Sequence, residues 1–67
     1  MAINREDLFQ GMKVTYSPGY VKENGIVKFV QDGIAFVVYK CNNDWDNFMN
    51  YTGCATNPED LIEGWHE

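Results

Sequence analysis

Cys41 and Cys54 bracket the stretch of this chain richest in side chains that could do chemistry. Asn42, Asp44, Asp46 and Asn50 offer oxygens at alternating positions, as the start of a calcium loop does. That loop also needs a glycine at its sixth place and a glutamate at its twelfth. Asn47 and Gly53 stand there instead, so no metal is expected. The two thiols fall at the ends of neighbouring predicted strands, where a disulfide closing the short loop would contribute ~2–4 kcal/mol. A reducing compartment favours free thiols. Zinc would require two further ligands. Only His66 is on offer, and its spacing fits no zinc module. A Cys–His nucleophilic pair would rest on that same His66, at a terminus that frays. Glu59-Asp60 sits in a turn that carboxylates often cap. These residues therefore predict no catalytic group, no cofactor and no enzyme.

The aromatic side chains point to binding instead. Trp45, Phe48 and Tyr51 recur every third residue inside the polar segment 42–53, beside Asp44 and Asp46. Tryptophan and tyrosine on a loop are typical anchors of protein interfaces. The other reading is that these rings fold back and cap a core too small to close itself. Tyr16, Tyr20, Tyr39 and Trp65 could form a cage for a methylated ammonium group through cation–π attraction. Otherwise they are ordinary core and surface aromatics.

Size and charge limit the function classes. A chain of 67 residues makes one domain, spanning 1–67, and leaves little volume for a pocket of roughly 300–1,000 Å³. The formal net charge is −5, with Arg5, Lys13, Lys22, Lys28 and Lys40 as the only cations, no two adjacent. Nucleic-acid binders usually present a basic stripe, so nucleic acid is disfavoured as a partner, although Lys22, Lys28 and Lys40 fall on or near one hairpin. No apolar run approaches the ~20 residues of a membrane span, and the first residues lack a signal-peptide pattern. The expectation is a cytoplasmic protein with no membrane association.

These residues must be positioned by short β-strands. In the run from Gly25 to Tyr39, two β-branched and aromatic segments meet at Asp32-Gly33. That pair suits a type I′ turn, which needs positive φ at both central residues. Pairing Gln31 with Ile34 sets Phe29 opposite Phe36 and Val27 opposite Val38 on one face. Val30–Ala35, Lys28–Val37 and Ile26–Tyr39 then occupy the other. Both faces are apolar, whereas a half-solvated hairpin should show one apolar face. Either twist or a bulge buries parts of both, or one face meets a second copy of the chain, with Phe29 and Phe36 as the self-association residues of a homodimer.

Asn4 to Gly11 reads as one helical turn capped by Asn4 and stopped by Gly11. Residues 12–16 alternate as a first strand, and 20–24 form a loop. The hairpin strands span 26–30 and 34–41. Asn43 or Asp44 would cap a turn carrying Trp45, Phe48 and Met49. Residues 53–56 form a fourth strand, 57–62 a 3-10 turn with Pro58 at its start, and 62–65 a last strand.

The order of pieces resembles the SH3-like barrels of the tudor and KOW kind. The residues that carry the resemblance are Asp7-Leu8, Gly11-Met12-Lys13-Val14, Gly25-Ile26-Val27, Phe36-Val37-Val38-Tyr39, Ala55-Thr56 and Pro58-Glu59-Asp60-Leu61-Ile62. More narrowly, the chain looks like small barrels of this type encoded by phages and mobile elements. The resemblance implies an all-β, SH3-like barrel of about five short strands with the 42–53 segment as an insert. Such barrels bind peptides, methylated side chains or nucleic acid. The expected function is a non-enzymatic protein-interaction module using Asp44, Trp45, Asp46, Phe48 and Tyr51. A nucleic-acid-associated module using Lys22, Lys28, Lys40 and Tyr20, and a self-associating structural component, are the alternatives.

Overall fold

A computed structural model describes residues 3–39 and 44–67. Within them, five strands form one antiparallel sheet: β1 (Lys13–Tyr16), β2 (Glu23–Gln31), β3 (Ile34–Tyr39), β4 (Cys54–Thr56) and β5 (Leu61–Glu63). Their order across the sheet is β4-β3-β2-β1-β5, so β4 and β5 are its two edges and the sheet is not closed. Among the described residues there are also three short 3-10 segments, Arg5–Asp7, Trp45–Asn50 and Pro58–Asp60. The all-β expectation holds. The bounds differ in detail: Glu23 and Asn24, expected in a loop, extend β2, while the last strand begins at Leu61 and ends at Glu63. The first helical turn stops at Asp7, well before Gly11, whose positive φ serves the bend into β1.

The β2–β3 hairpin turns where the sequence predicts. Asp32 and Gly33 have φ of 53° and 77°, the left-handed values of a type I′ turn. Gln31 faces Ile34, Val30 faces Ala35 and Phe29 faces Phe36. Beyond that point the expected register is wrong. Val27 faces Val37, Ile26 faces Val38 and Gly25 faces Tyr39, because the register shifts between Val27 and Phe29. Lys28 is the extra residue of a β-bulge. A bulge moves the residues that follow to the opposite face, so Val27 and Phe29, two apart, point to different sides.

That shift accounts for the two apolar faces. On one face, Met12, Val14, Val27, Ala35, Val37 and Leu61 form the buried core, with Ile3, Leu8, Tyr16 and Tyr39 packed around it. On the other, Ile26 and Val38 are also buried, and the 3-10 segment Trp45–Asn50 contacts β2. Two close backbone contacts fix the bulge region to the residues just before β1: the Gly11 N–H donates to Val27 O at 2.8 Å and the Val27 N–H to Met12 O at 3.0 Å. Gly25 lacks a Cβ because one there would fall 2.6 Å from Val37 Cγ1 and 2.8 Å from the Tyr39 ring.

The last 3-10 segment forms as its sequence dictates. The Asn57 side chain accepts from the Glu59 N–H at 3.1 Å, and Pro58, which has no N–H to leave unpaired, is buried behind it. The chain then enters β5, whose Leu61, Ile62 and Glu63 lie against Tyr16, Thr15 and Val14 of β1. Among the described residues no helix is long and apolar enough to cross a membrane.

Candidate functional site

The segment Trp45–Asn50 and the C-terminal residues 64–67 meet on the outer side of β1 and β2. The Trp45 and Trp65 ring centroids are 4.9 Å apart, tilted 48°. Lys13 places its ammonium 4.8 Å above the Trp65 ring, and the Trp65 indole N–H donates to Gly25 O at 2.9 Å. Phe48 approaches from the 3-10 segment, its ring tip 3.9 Å from where a Gly11 Cβ would stand. Lys28, the bulge residue, donates from Nζ to Tyr51 O at 2.8 Å, tying the end of this segment to β2.

The C-terminal residues are stitched down by one buried hydroxyl. Thr15 is fully buried. Its Oγ1 lies 2.7 Å from Gly64 O, to which it donates, and accepts from the His66 N–H at 2.8 Å. Asn24 Oδ1 accepts from the N–H groups of His66 and Glu67 at 3.2 and 3.1 Å. These bonds hold Trp65 against the sheet without a further strand.

Of the residues proposed from sequence as partner-binding, Trp45, Phe48 and Tyr51 are partly buried, while Asp44 and Asp46 are exposed. Asp44 stands at the N-cap position, but its side chain makes no capping bond to the backbone. Both of its carboxylate oxygens accept from Asn47 Nδ2, at 2.9 and 3.0 Å, and the Tyr51 hydroxyl lies 3.5 Å from one of them. The aromatic residues thus pack against the sheet while part of their surface stays in water. Met49 on the same segment is 46% exposed, Phe9 is 60% exposed and Trp65 is 36% exposed. An open groove of about 380 Å³ lined by Phe9, Gly11, Met12, Lys13, Glu63 and Gly64 adjoins Trp65 through Lys13. Sequence reading missed Phe9, Lys13, Met49 and Glu63 here.

The four-membered aromatic cage does not form. Tyr16 and Tyr39 meet edge-on at 6.0 Å, but Tyr20 is fully exposed and Trp65 is committed to Trp45 and Lys13. Tyr16 and Tyr39 instead line a second groove of about 400 Å³ with Glu23, Cys54, Ala55, Thr56, Asn57 and Asp60. The Tyr39 and Thr56 hydroxyls are hydrogen bonded at 2.9 Å. Burial, reinforced by the nearby Cys54, Tyr16 and Glu23 groups, outweighs that bond and pushes the phenol pKa up to about 12. At the hairpin tip, Phe29 and Phe36 stack with centroids 4.5 Å apart and planes at 15°.

Among the described residues no three His, Cys, Asp or Glu side chains converge as a metal ion would need. Cys54 is exposed with a free thiol. The readings that involve Lys40, Cys41, Asn42 and Asn43 lie outside the described residues. No protein-family model, curated protein or solved structure matches this chain.

Proposed function

We propose that the chain is a non-enzymatic protein-interaction module, built on an SH3-like plan, that receives a protein partner where the segment Trp45–Asn50 meets the C-terminal residues. The plan is supported by the strand order β4-β3-β2-β1-β5 and by the 3-10 segment that joins the two edge strands. The binding reading rests chiefly on one observation. Beside the Trp45–Trp65 pair, Trp65 itself, Met49 on the same 3-10 segment as Trp45, and Phe9 in the wall of the adjoining groove all keep apolar surface in water. Partly exposed aromatic and methionine side chains held on a rigid base are the usual centre of a protein interface. Asp46 and Glu63 are exposed around it, and with a chain charge of −5 they favour a partner with a basic rim.

Affinity capture with wild type, Met49→Asp and Tyr20→Ala tests this reading. Met49 and Tyr20 are both exposed, so neither change removes core packing. A partner held by wild type and Tyr20→Ala but lost by Met49→Asp supports the assignment. Equal retention by all three removes the site.

Self-association is the second reading, favoured by the stacked Phe29–Phe36 pair, whose Phe29 is 38% exposed beside Val30 at 37%. A dimer in sedimentation that becomes monomeric in Phe29→Ser supports it; a wild-type monomer ends it. The nucleic-acid reading has less behind it, since the Lys28 ammonium is engaged by Tyr51 O. It would require affinity for an oligonucleotide that falls steeply with salt.

A further inference from the structure

Lys28 is the residue that the β2–β3 ladder leaves out. Val27 pairs with Val37 and Phe29 with Phe36, and no residue of β3 faces Lys28. A bulge of this kind re-aims the side chain it carries. Here the half-buried Lys28 is engaged at both ends. Its ammonium donates to Tyr51 O at 2.8 Å, and its own carbonyl accepts from Gln10 Nε2 at 3.1 Å. The adjacent Val27 carbonyl accepts from the Gly11 N–H at 2.8 Å. The bulge thus holds the segment that carries Met49 by a side chain and the segment that carries Phe9 by its backbone. These two segments also meet each other, since the Phe48 ring tip lies 3.9 Å from where a Gly11 Cβ would stand.

The segment Trp45–Asn50 is lightly built. No residue in it is buried, and Asn47 breaks its helical geometry with φ −108° and ψ 26°. Its own bonds include Asn47 N–H to Asp44 O and Tyr51 N–H to Phe48 O, both at 3.1 Å. It packs on β2. Trp45 fastens its start to Trp65, and the Lys28–Tyr51 bond fastens the chain just past its end. At Gly53 the chain is back on the sheet, where a Cβ would fall 3.0 Å from Phe36 Cβ. Segments with little buried surface open at lower free energy than the strands they lie on. A bond from a charged donor is stronger than a neutral one, and this one is partly buried.

We propose that Lys28 is a latch: its ammonium holds the segment 44–51 closed, the segment opens as a unit without the sheet when that bond breaks, and the Phe9 segment shifts with it. Lys28 is then a positioning residue. It sets the Met49 and Phe9 flanks relative to one another, through Tyr51 on one side and Gln10 on the other. The bulge is what allows this, because it frees one side chain of β2 from the ladder at the point where both segments cross the sheet. The device belongs to the free chain and does not depend on the partner proposed above.

Native-state amide exchange of the full chain, followed by NMR, tests this with wild type, Lys28→Met and Lys28→Arg. Methionine keeps the apolar stem and removes every donor, whereas arginine keeps a charged donor. Lys28→Met should speed exchange at Asn47 and Tyr51 about tenfold or more, as loss of a charge-assisted bond does, while Val37 stays slow. The Phe9 ring and Met49 methyl signals should both move. Lys28→Arg should restore slow exchange at Asn47 and Tyr51. Wild type in urea below its unfolding transition carries the same test should Lys28→Met not fold. Asn47 and Tyr51 should then exchange together with a weak urea dependence, and Val37 with the steep dependence of global unfolding. Unchanged exchange at Asn47 and Tyr51 in Lys28→Met, equal acceleration at Val37, no restoration by arginine, or one urea dependence shared by Tyr51 and Val37 overturns the latch. Movement of Met49 without Phe9 overturns their coupling. Failure to capture any partner would end the reading of the Trp45–Trp65 surface and leave these readouts to decide the latch.

Discussion

Trp45 and Trp65 come from separate segments, yet their rings lie 4.9 Å apart, and this contact joins the aromatic insert to the end of the chain. Trp65 also donates to Gly25 O and supports Lys13. Trp65→Phe keeps a ring for Trp45 but leaves that carbonyl without its donor, and should cost about 1 kcal/mol in urea unfolding. A double-mutant cycle with Trp45→Ala and Trp65→Ala should return a coupling of about 0.5–1.5 kcal/mol, the range for aromatic pairs in contact. Additive effects would mean that the insert does not rest on Trp65.

Thr15→Val replaces the buried hydroxyl by a methyl of similar size. Gly64 O and the His66 N–H then lose their shared partner. The expected loss is about 1–3 kcal/mol. Because the hydroxyl anchors residues 64–67, amide exchange at His66 should quicken and Trp65 emission should shift to the red, while exchange at Val27 and Val37 stays slow in conditions where the variant is folded.

Much of the fold was legible in the residues, and the limit falls at Lys28. Asp32-Gly33 set the turn and the register through Phe29 and Phe36, since positive φ at both turn positions leaves few alternatives. Asn57-Pro58 marked the last 3-10 segment for equally local reasons. The bulge was not legible as a position. The run Ile26-Val27-Lys28-Phe29-Val30 is apolar on either register, and only burial of Val27 with Val14 and Leu61 selects one. The expected Val27–Val38 and Lys28–Val37 pairs therefore gave way to Val27–Val37 and Ile26–Val38. At the candidate site, the sequence drew attention to Trp45, Phe48 and Tyr51 through their spacing. Trp65 was read either as a cage member or as an ordinary core or surface aromatic, because nothing local shows that Thr15 and Asn24 hold the backbone beside it against the outer face.

Gly25→Ala tests the close approach of β2 and β3. The new methyl would lie within 2.9 Å of Val37 and two atoms of the Tyr39 ring. Overpacking of this kind costs about 1–3 kcal/mol, so the urea midpoint should fall. Gly19→Ala, where nothing stands within 4 Å of the new methyl, should leave it nearly unchanged.

Tyr39 makes stability depend on alkaline pH. Its phenol is raised from 10.0 to about 12 in the folded chain, so the unfolded chain ionises first. The contribution is full below pH 10 and is lost as pH rises from 10 through about 12. Tyr39→Phe should start less stable, having lost the Thr56 bond, and should show a shallower decline over that window. Parallel declines would place the alkaline sensitivity elsewhere.

The central claim is that a protein partner covers the surface around Trp45 and Trp65. Hydroxyl-radical footprinting of the captured complex measures this directly, because Phe9, Met49 and Trp65 are exposed and reactive, and Tyr20 and Val21 provide exposed references on another loop. The account predicts protection of Phe9, Met49 and Trp65 on binding, with Tyr20 and Val21 unchanged. Unchanged labelling at Met49 and Trp65, with protection elsewhere, would contradict it.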